Sequence, residues 1–280
     1  MAADVVITEY TDPACPWAFS AEPFRRRLSW LYGEQLAWEV RMVGLSDGNG
    51  ASHFTPEKLS EAYKKISREH KMPIDTRVRE RMAASVPACR AVVAARLNAS
   101  YDQTRALLRR LRVRTMSGEL LDAPETIDGA ARDAGIDVEA LHRWIEDPAT
   151  QSALDEDMAA ARQPMPAARV LDAKLANWSG GRRYTCPSYE IERQVDGVRI
   201  AVPGFQPFAV YDVITANLVP GLERREPPTS VEDVLAWTGT PLASIEVATV
   251  MDISFEDARE HLGRVAVEHP VGFDGFWTLP

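Results

Sequence analysis

The strongest constraint on this chain is the gap between its strand-like segments. β-Branched and aromatic residues with partial alternation occupy residues 4–10, and LAWEVRMVGL (36–45) sets Leu36, Trp38, Val40 and Met42 against polar or small neighbours. The pattern then vanishes until SYEIERQ (188–194) and VRIAV (198–202), which are joined by Asp196-Gly197, a hairpin turn. Between the two sets, from Thr55 to about Arg162, TPEKLSEAYKKI, SVPACRAVVAARL, YDQTRALLRRLRV, TIDGAARDAGIDVEALHRWI and PATQSALDEDMAAAR are helical in period, with Thr, Ser or Asp caps and Gly or Pro breaks. A chain ordered this way is α/β: a mixed sheet opened by strand, helix and strand, interrupted by an all-helical insertion, and completed by a hairpin.

The opening helix is predicted from Pro16 to Gly33. Trp17, Phe19, Phe24, Leu28, Leu31 and Tyr32 fall at helical spacing, Pro16 stands in the favoured first turn and Gly33 is a stop. Pro23 removes a backbone donor inside it, so a kink is expected near Phe19 or Ser20. A closing helix is predicted at about Phe208–Leu218. After the Pro-rich linker REPPTS, SVEDVLAWTG and SFEDAREHLGRVAVE are amphipathic, SIEVATVMD lies between them, and the chain ends in the aromatic GFDGFWTLP. The expected organisation is therefore a sheet domain over 1–54 and 166–226, a helical insertion over 55–165 and an acidic helical appendage over 227–280.

Composition narrows the function classes. With 45% hydrophobic and 26% charged residues in 280, the chain is in the ordinary globular range. No stretch approaches the roughly 18 to 20 apolar residues of a membrane helix, and MAADVVITEY lacks the parts of a signal peptide, so a soluble cytoplasmic protein with no membrane partner is expected. The net charge of −9 and a pI near 5.2 disfavour nucleic acid as a partner. The charge is uneven: basic groups are in excess before residue 115 and acidic ones after it. The arginines between Lys58 and Arg114 read as a solvated helix face or as a docking surface for an acidic partner, and the acidic appendage as a docking or dimer-forming element. His53, His70, His142, His261 and His269 show no metal-ligand spacing, so no metal is expected. SDGNGAS (46–52) lacks the GK[ST] of a phosphate loop and reads as a flexible loop near the active site.

Chemistry concentrates at one place. Cys15, Pro16 and Trp17 stand where a strand's end meets a helix's first turn, where unpaired amides and the helix dipole favour a thiolate, the nucleophilic form of cysteine. The bland alternative for Cys15 is a small hydrophobe at a strand–helix junction. Trp17 either flanks a cleft or joins the core. Cys89, in helical register with Val92, Val93 and Leu97, reads as core.

YTDPACPWAFSAEPFRRRL resembles the active-site segment of the DsbA-like branch of the thioredoxin superfamily, the group of FrnE-type oxidoreductases and 2-hydroxychromene-2-carboxylate isomerases. ACRAVVAARL, LLRRLRV and IDGAARDAGIDVEALHRWI are similar to that family's inserted helical domain, and YTCPSYEI stands where the family carries its cis-proline loop. The resemblance spans about residues 4–220. It implies a thioredoxin fold with an inserted all-helical domain and a helical C-terminal extension. It also implies that Pro187 is a cis-proline, and that Thr185, Cys186 and Pro187 border Cys15 and pair with an extended substrate. Phe205 and Gln206 follow the last strand, where family members line the cleft.

The sequence departs from the family's dithiol CxxC at Ala18, where the second cysteine would stand. A mixed disulfide on Cys15 must then be resolved by Cys186 or by a low-molecular-weight thiol, unless Cys186 is a buried inert thiol. The resemblance thus implies a thiol-disulfide oxidoreductase acting on a disulfide-containing protein or a small thiol. Catalytic Cys15 and Cys186 are flanked by Pro16, Trp17, Thr185 and Pro187 as substrate-binding residues, with no tightly bound cofactor. The alternatives are a non-catalytic adaptor that docks partners through the C-terminal helices, and a glutathione-like-thiol-dependent isomerase.

Overall fold

A computed structural model of the chain describes residues 3–48 and 55–280. His53 and residues 49–52 of the Gly-rich loop lie outside the described residues. Strand β1 (Val5–Thr11) leads through a tight turn into α1 (Pro16–Ser20) and α2 (Glu22–Tyr32), and a short 3-10 turn delivers the chain to β2 (Leu36–Met42). The single helix predicted from Pro16 to Gly33 is broken at Ala21, just past the predicted kink, because Pro23 near the start of α2 has no N–H to continue the ladder. Gly33 ends α2 at φ 54°, a left-handed backbone that suits glycine.

Six helices follow: α3 (Pro56–His70), α4 (Val86–Asn98), α5 (Tyr101–Met116), α6 (Pro124–Asp133), α7 (Val138–Glu146) and α8 (Pro148–Ala161). Ser100 and Gln103 form a capping box on α5, and the Asp137 and Asp147 side chains cap α7 and α8. The segment around AGID is two helices, α6 and α7, divided at Gly135 with φ 69°. A 3-10 segment (Pro166–Lys174) then enters a hairpin of β3 (Leu175–Trp178) and β4 (Gly181–Tyr184) that the sequence reading did not anticipate. The sheet resumes with β5 (Ser188–Arg193) and β6 (Arg199–Val202), and α9 (Phe208–Leu218) closes it.

The main sheet has the order β2-β1-β5-β6, with β1 parallel to β2 and antiparallel to β5. Val5, Ile7, Trp38, Tyr189 and Ile191 pack on Leu28 and Tyr32 of α2 and on Tyr211 of α9, while Val40 and Met42 join the cluster formed by α4 to α8. Asp157 on α8 pins the edge of β2. It is fully buried, accepts the Met42 N–H at 3.0 Å, and is clamped by Arg96 at 2.7 Å and Arg41 at 3.1 Å. That contact closes an exposed strand edge against the helical insertion.

The C-terminal segment differs from the purely helical appendage expected. It carries α10 (Val231–Thr238), β7 (Leu242–Ala243), α11 (Ser244–Met251), α12 (Phe255–Val265), β8 (Val267–Val271) and β9 (Asp274–Thr278), with a three-stranded sheet ordered β7-β9-β8. Val267 and Glu268, read as the end of a helix, begin β8 instead, because the hairpin buries Phe276 and Trp277 of β9 against β7 and the helices. The unit is not a loose tail. Trp30 of α2 lies in its core with Val234, Leu235, Val247 and Trp277.

The arginines of α5 also depart from the expected solvated face. Arg109 and Arg112 are buried in a lattice that links β1, α2, α5 and α11. Arg112 bridges Glu9, at 2.7 Å, and Glu22; Arg109 and Arg26 both reach Glu246 at 2.6 Å; and Arg25 reaches Glu9 at 3.1 Å. A single-sequence charge pattern cannot distinguish a solvated arginine from one whose carboxylate partners arrive from distant segments.

Candidate functional site

The site forms where β1 ends. Asp12 turns the chain: its backbone carbonyl accepts the Cys15 N–H at 3.1 Å and its carboxylate accepts the Ala14 N–H at 2.8 Å. Cys15 then occupies the position before the first residue of α1, with Pro16 first in the helix, and its carbonyl accepts the Phe19 N–H at 3.0 Å. The sulfur faces the start of β5. Cys15 Sγ lies 3.3 Å from the carbonyl oxygen of Cys186, and the Cys186–Pro187 peptide is cis. All three cysteines are free thiols.

The loop carrying Cys186 is tied from both sides. Thr185 donates its hydroxyl to the Lys174 carbonyl at 2.8 Å, and Ser188 donates to the Thr185 carbonyl at 2.7 Å while accepting the Gly204 N–H at 3.0 Å. The structure therefore gathers Cys15, Cys186, Thr185 and Pro187, which the sequence separates by some 170 residues. Half-buried Trp17 bridges two clusters: its ring meets His70 of α3 at 5.0 Å and Phe205 at 5.6 Å, edge-on in both cases. It is thus partly core, and it forms an aromatic wall with His70 and Phe205.

The sulfur is more enclosed than a cleft-mouth position implies. Cys15 is 6% exposed and Cys186 is 8%, in a cluster with Tyr10, Val43, Ala161, Ala168, Leu175 and Tyr184. Ala168 and Leu175 come from the 3-10 segment and the β3–β4 hairpin, the parts not anticipated from sequence. The Ser-Gly-Gly after LANW was the available turn signal for that hairpin.

The two thiols at the site are driven apart. A hydrogen bond with the side chain of Cys186 pulls the Cys15 thiol below its ordinary value, helped by the amides of Ala18 and Trp17 and opposed by burial and by Asp12. Burial pushes the Cys186 thiol well up, and its neighbour Cys15 adds to the rise. Cys15 is thus the more readily ionised of the two thiols.

Asp12 was not singled out in the sequence and is the most consequential residue missed. Its carboxylate, wholly buried, accepts the Leu45 N–H at 2.8 Å, the Ser85 hydroxyl at 2.8 Å and the Cys89 thiol at 3.4 Å. Burial pushes its pKa up despite those donors. Cys89, read as core, is buried in the cluster of α4 to α8 and also supplies one of these donors. His70, on the aromatic wall, is pushed down by burial, toward the neutral imidazole. Among the described residues no three His, Cys, Asp or Glu side chains are grouped to hold a metal ion.

Residues 6–165 match the DSBA-like thioredoxin domain. The chain belongs to the DSBA-like thioredoxin domain family. A curated relative of this DSBA-like chain is the ClpXP adapter protein SpxH of Halalkalibacterium halodurans, 24% identical over 97% of the chain and 87% of the relative. Solved structures sharing the fold include a putative protein disulfide isomerase from Nitrosomonas europaea. Its TM-score is 0.58 at 15% identity, over 76% of this chain and 98% of that one. The cytosolic disulfide reductase DsbM from Pseudomonas aeruginosa, solved with GSH, superposes with a TM-score of 0.52 at 17% identity, over 76% of this chain and 98% of that one. Among the described residues no helix is long and apolar enough to cross a membrane.

Proposed function

We propose that this DSBA-like chain carries out thiol–disulfide exchange through Cys15, with Cys186 as the resolving thiol, in the cytoplasm. The observation that carries the reading is geometric: the free thiol of Cys15 lies 3.3 Å from the Cys186 carbonyl at the cis Cys186–Pro187 loop, and burial and hydrogen bonding drive the two thiols in opposite directions. The Cys15 thiolate attacks a substrate disulfide, forms a mixed disulfide and expels one substrate thiolate. Cys186 then gives up its proton and attacks the Cys15 sulfur, which releases the second substrate thiolate and leaves a Cys15–Cys186 disulfide. Two equivalents of a low-molecular-weight thiol return the pair to the reduced state, themselves becoming a disulfide. The GSH in the DsbM structure supports a small thiol as that co-substrate. Pro16, Trp17, Thr185 and Pro187 border the sulfur and are assigned the substrate strand.

A second reading, a protein-docking adaptor, is favoured by one observation. The SpxH relative matches 97% of the chain, whereas the oxidoreductase structures cover 76% of it. In that reading the C-terminal unit and the enclosed sulfur serve recognition rather than turnover.

One experiment separates the two. The rate of Cys15 alkylation is followed against pH in the wild type and in Cys186→Ala, beside reduction of a small-molecule disulfide. A midpoint below the free-thiol value of about 8.5, with disulfide turnover that Cys186→Ala abolishes, supports exchange. A midpoint at or above that value without turnover supports the adaptor.

A further inference from the structure

One cavity shares no lining residue with the Cys15 site, and the thiol chemistry makes no use of it. It is a chamber of about 480 Å³ walled by α2, α5 and the end of α10, and five arginines line it: Arg25, Arg26, Arg105, Arg109 and Arg112. Four of them belong to the buried lattice, where three carboxylates, Glu9, Glu22 and Glu246, answer four guanidinium groups. Arg105 has a ring neighbour, Tyr101 at 5.4 Å, and no carboxylate among its contacts within the described residues. Repulsion from Arg25, with burial, pushes Arg105 down to about 10, which shows how crowded with positive charge the chamber is. The one other acidic residue on its wall is Asp102.

The chamber also holds donors that the protein leaves unmatched. Arg25 Nε and Nη2 and Arg109 Nε are buried without a hydrogen-bond acceptor, Arg109 Nη1 has only a long ion pair with Glu22 at 3.7 Å, and the hydroxyls of Ser29 and Thr240 on the same wall are buried without a partner. A buried guanidinium N–H without an acceptor is costly, and planar forks of this kind match the paired oxygens of a phosphoryl group. At the rim stands Trp237, 37% exposed, its ring held edge-on by Trp30 at 5.1 Å. An anionic group in the chamber would place an attached flat ring within reach of that indole.

We propose that this chamber binds a phosphoryl-bearing small molecule, with its oxyanion on Arg25, Arg105 and Arg109 and any attached ring on Trp237. Because α10 and α11 meet α2 and α5 here, the ligand would bind the C-terminal unit to the rest of the molecule. The inference stands independently of the thiol reading.

The test is calorimetric titration of the full-length protein at fixed ionic strength with three probes in separate arms: inorganic phosphate, pyrophosphate and AMP. Saturable one-to-one binding is expected, weakened about tenfold by Arg105→Gln, the size of one lost charge-assisted hydrogen bond. It is expected to tighten in Asp102→Asn, which removes the opposing carboxylate without touching the lattice. AMP binding tighter than phosphate, with the difference lost in Trp237→Ala, assigns a nucleotide-like ligand; equal affinities assign free phosphate. Absence of saturable binding in all three arms, or affinities unchanged in both Arg105→Gln and Asp102→Asn, overturns the proposal.

Discussion

Two of the molecule's buried polar centres solve the same physical problem in opposite ways. Around Glu9, Glu22, Arg112 and Glu246, charges removed from water are met by opposite charges. Burial disfavours ionised Glu22, but the guanidinium groups of Arg112, Arg109 and Arg26 outweigh it and hold its carboxyl well below the usual carboxylate range. Around Asp12, Cys15 and Cys186 no cation forms an ion pair among the described residues, and Arg183 only partly offsets the rise at Cys186. The carboxyl of Asp12 and the thiol of Cys186 are pushed up, and Cys15 alone is drawn down. Where burial is balanced by counter-charge, a network clamps the domains together; where only hydrogen bonds balance it, a group is left near the point of changing its protonation state.

The sharpest way to break this contrast is Arg112→Met, which leaves Glu9 and Glu22 short of a partner in a place with almost no solvent. A loss of about 3 kcal/mol in urea unfolding is expected. If the loss is under about 1 kcal/mol, the lattice does not act as a clamp, since that is the size of an exposed pair.

Next in size is Asp12→Ala, which strands the Leu45 and Ala14 amides and the Ser85 hydroxyl. A cost of about 1–3 kcal/mol is expected in the same measurement, with Asp12→Asn costing less because its amide oxygen still accepts.

Acid separates the centres further. The depressed carboxyl of Glu22 contributes stability that is fully present above its unfolded value, about 4.3, and is lost as pH falls below it. Asp12 acts in the reverse sense: its raised carboxyl favours the fold below about 3.9, and that gain is lost as pH rises through its folded value. The urea midpoint of the wild type is therefore expected to fall between pH 5 and 3, and to fall less in Arg112→Met, whose Glu22 has lost its main counter-charge. Equal slopes in the two proteins would remove Glu22 as the titrating group.

The smallest expected effect is electrostatic. Removing the Asp12 charge in Asp12→Asn relieves its opposition to the Cys15 thiolate, so the alkylation midpoint of Cys15 moves down by a fraction of a pH unit. A move upward would mean that the hydrogen-bond framework of Asp12, rather than its charge, governs the sulfur.

Much of the fold was legible because it rests on local rules. The strand, helix, strand opening, the capped helices between Thr55 and Arg162 and the Asp196-Gly197 hairpin follow from periodicity, caps and turn residues over a few positions. The β3–β4 hairpin and the sheet of the C-terminal unit were not legible. β7 has two residues and β8 includes Pro270, so neither shows alternation, and both exist because β9 offers them a partner. At the site, Cys15, Pro16, Trp17, Thr185, Cys186 and Pro187 were all named from sequence, whereas Asp12, His70 and the shielding of the sulfur were not. A buried carboxylate is invisible until the donors from Leu45, Ser85 and Cys89 converge on it.

By itself the sequence determined the strand, helix, strand opening, the helical insertion and the hairpin that follows it, and the place of Cys15 at a strand–helix junction with Ala18 three residues on; the DSBA-like class came from its resemblance to that family. Those properties are written in spacing and residue type, which need no partner from elsewhere in the chain. Only the tertiary structure decided what surrounds each thiol, which arginines are clamps and which still have donors to spare. Solvation, counter-charge and hydrogen-bond supply at a buried atom are set by groups far away in sequence, and they come into being when the chain closes around that atom.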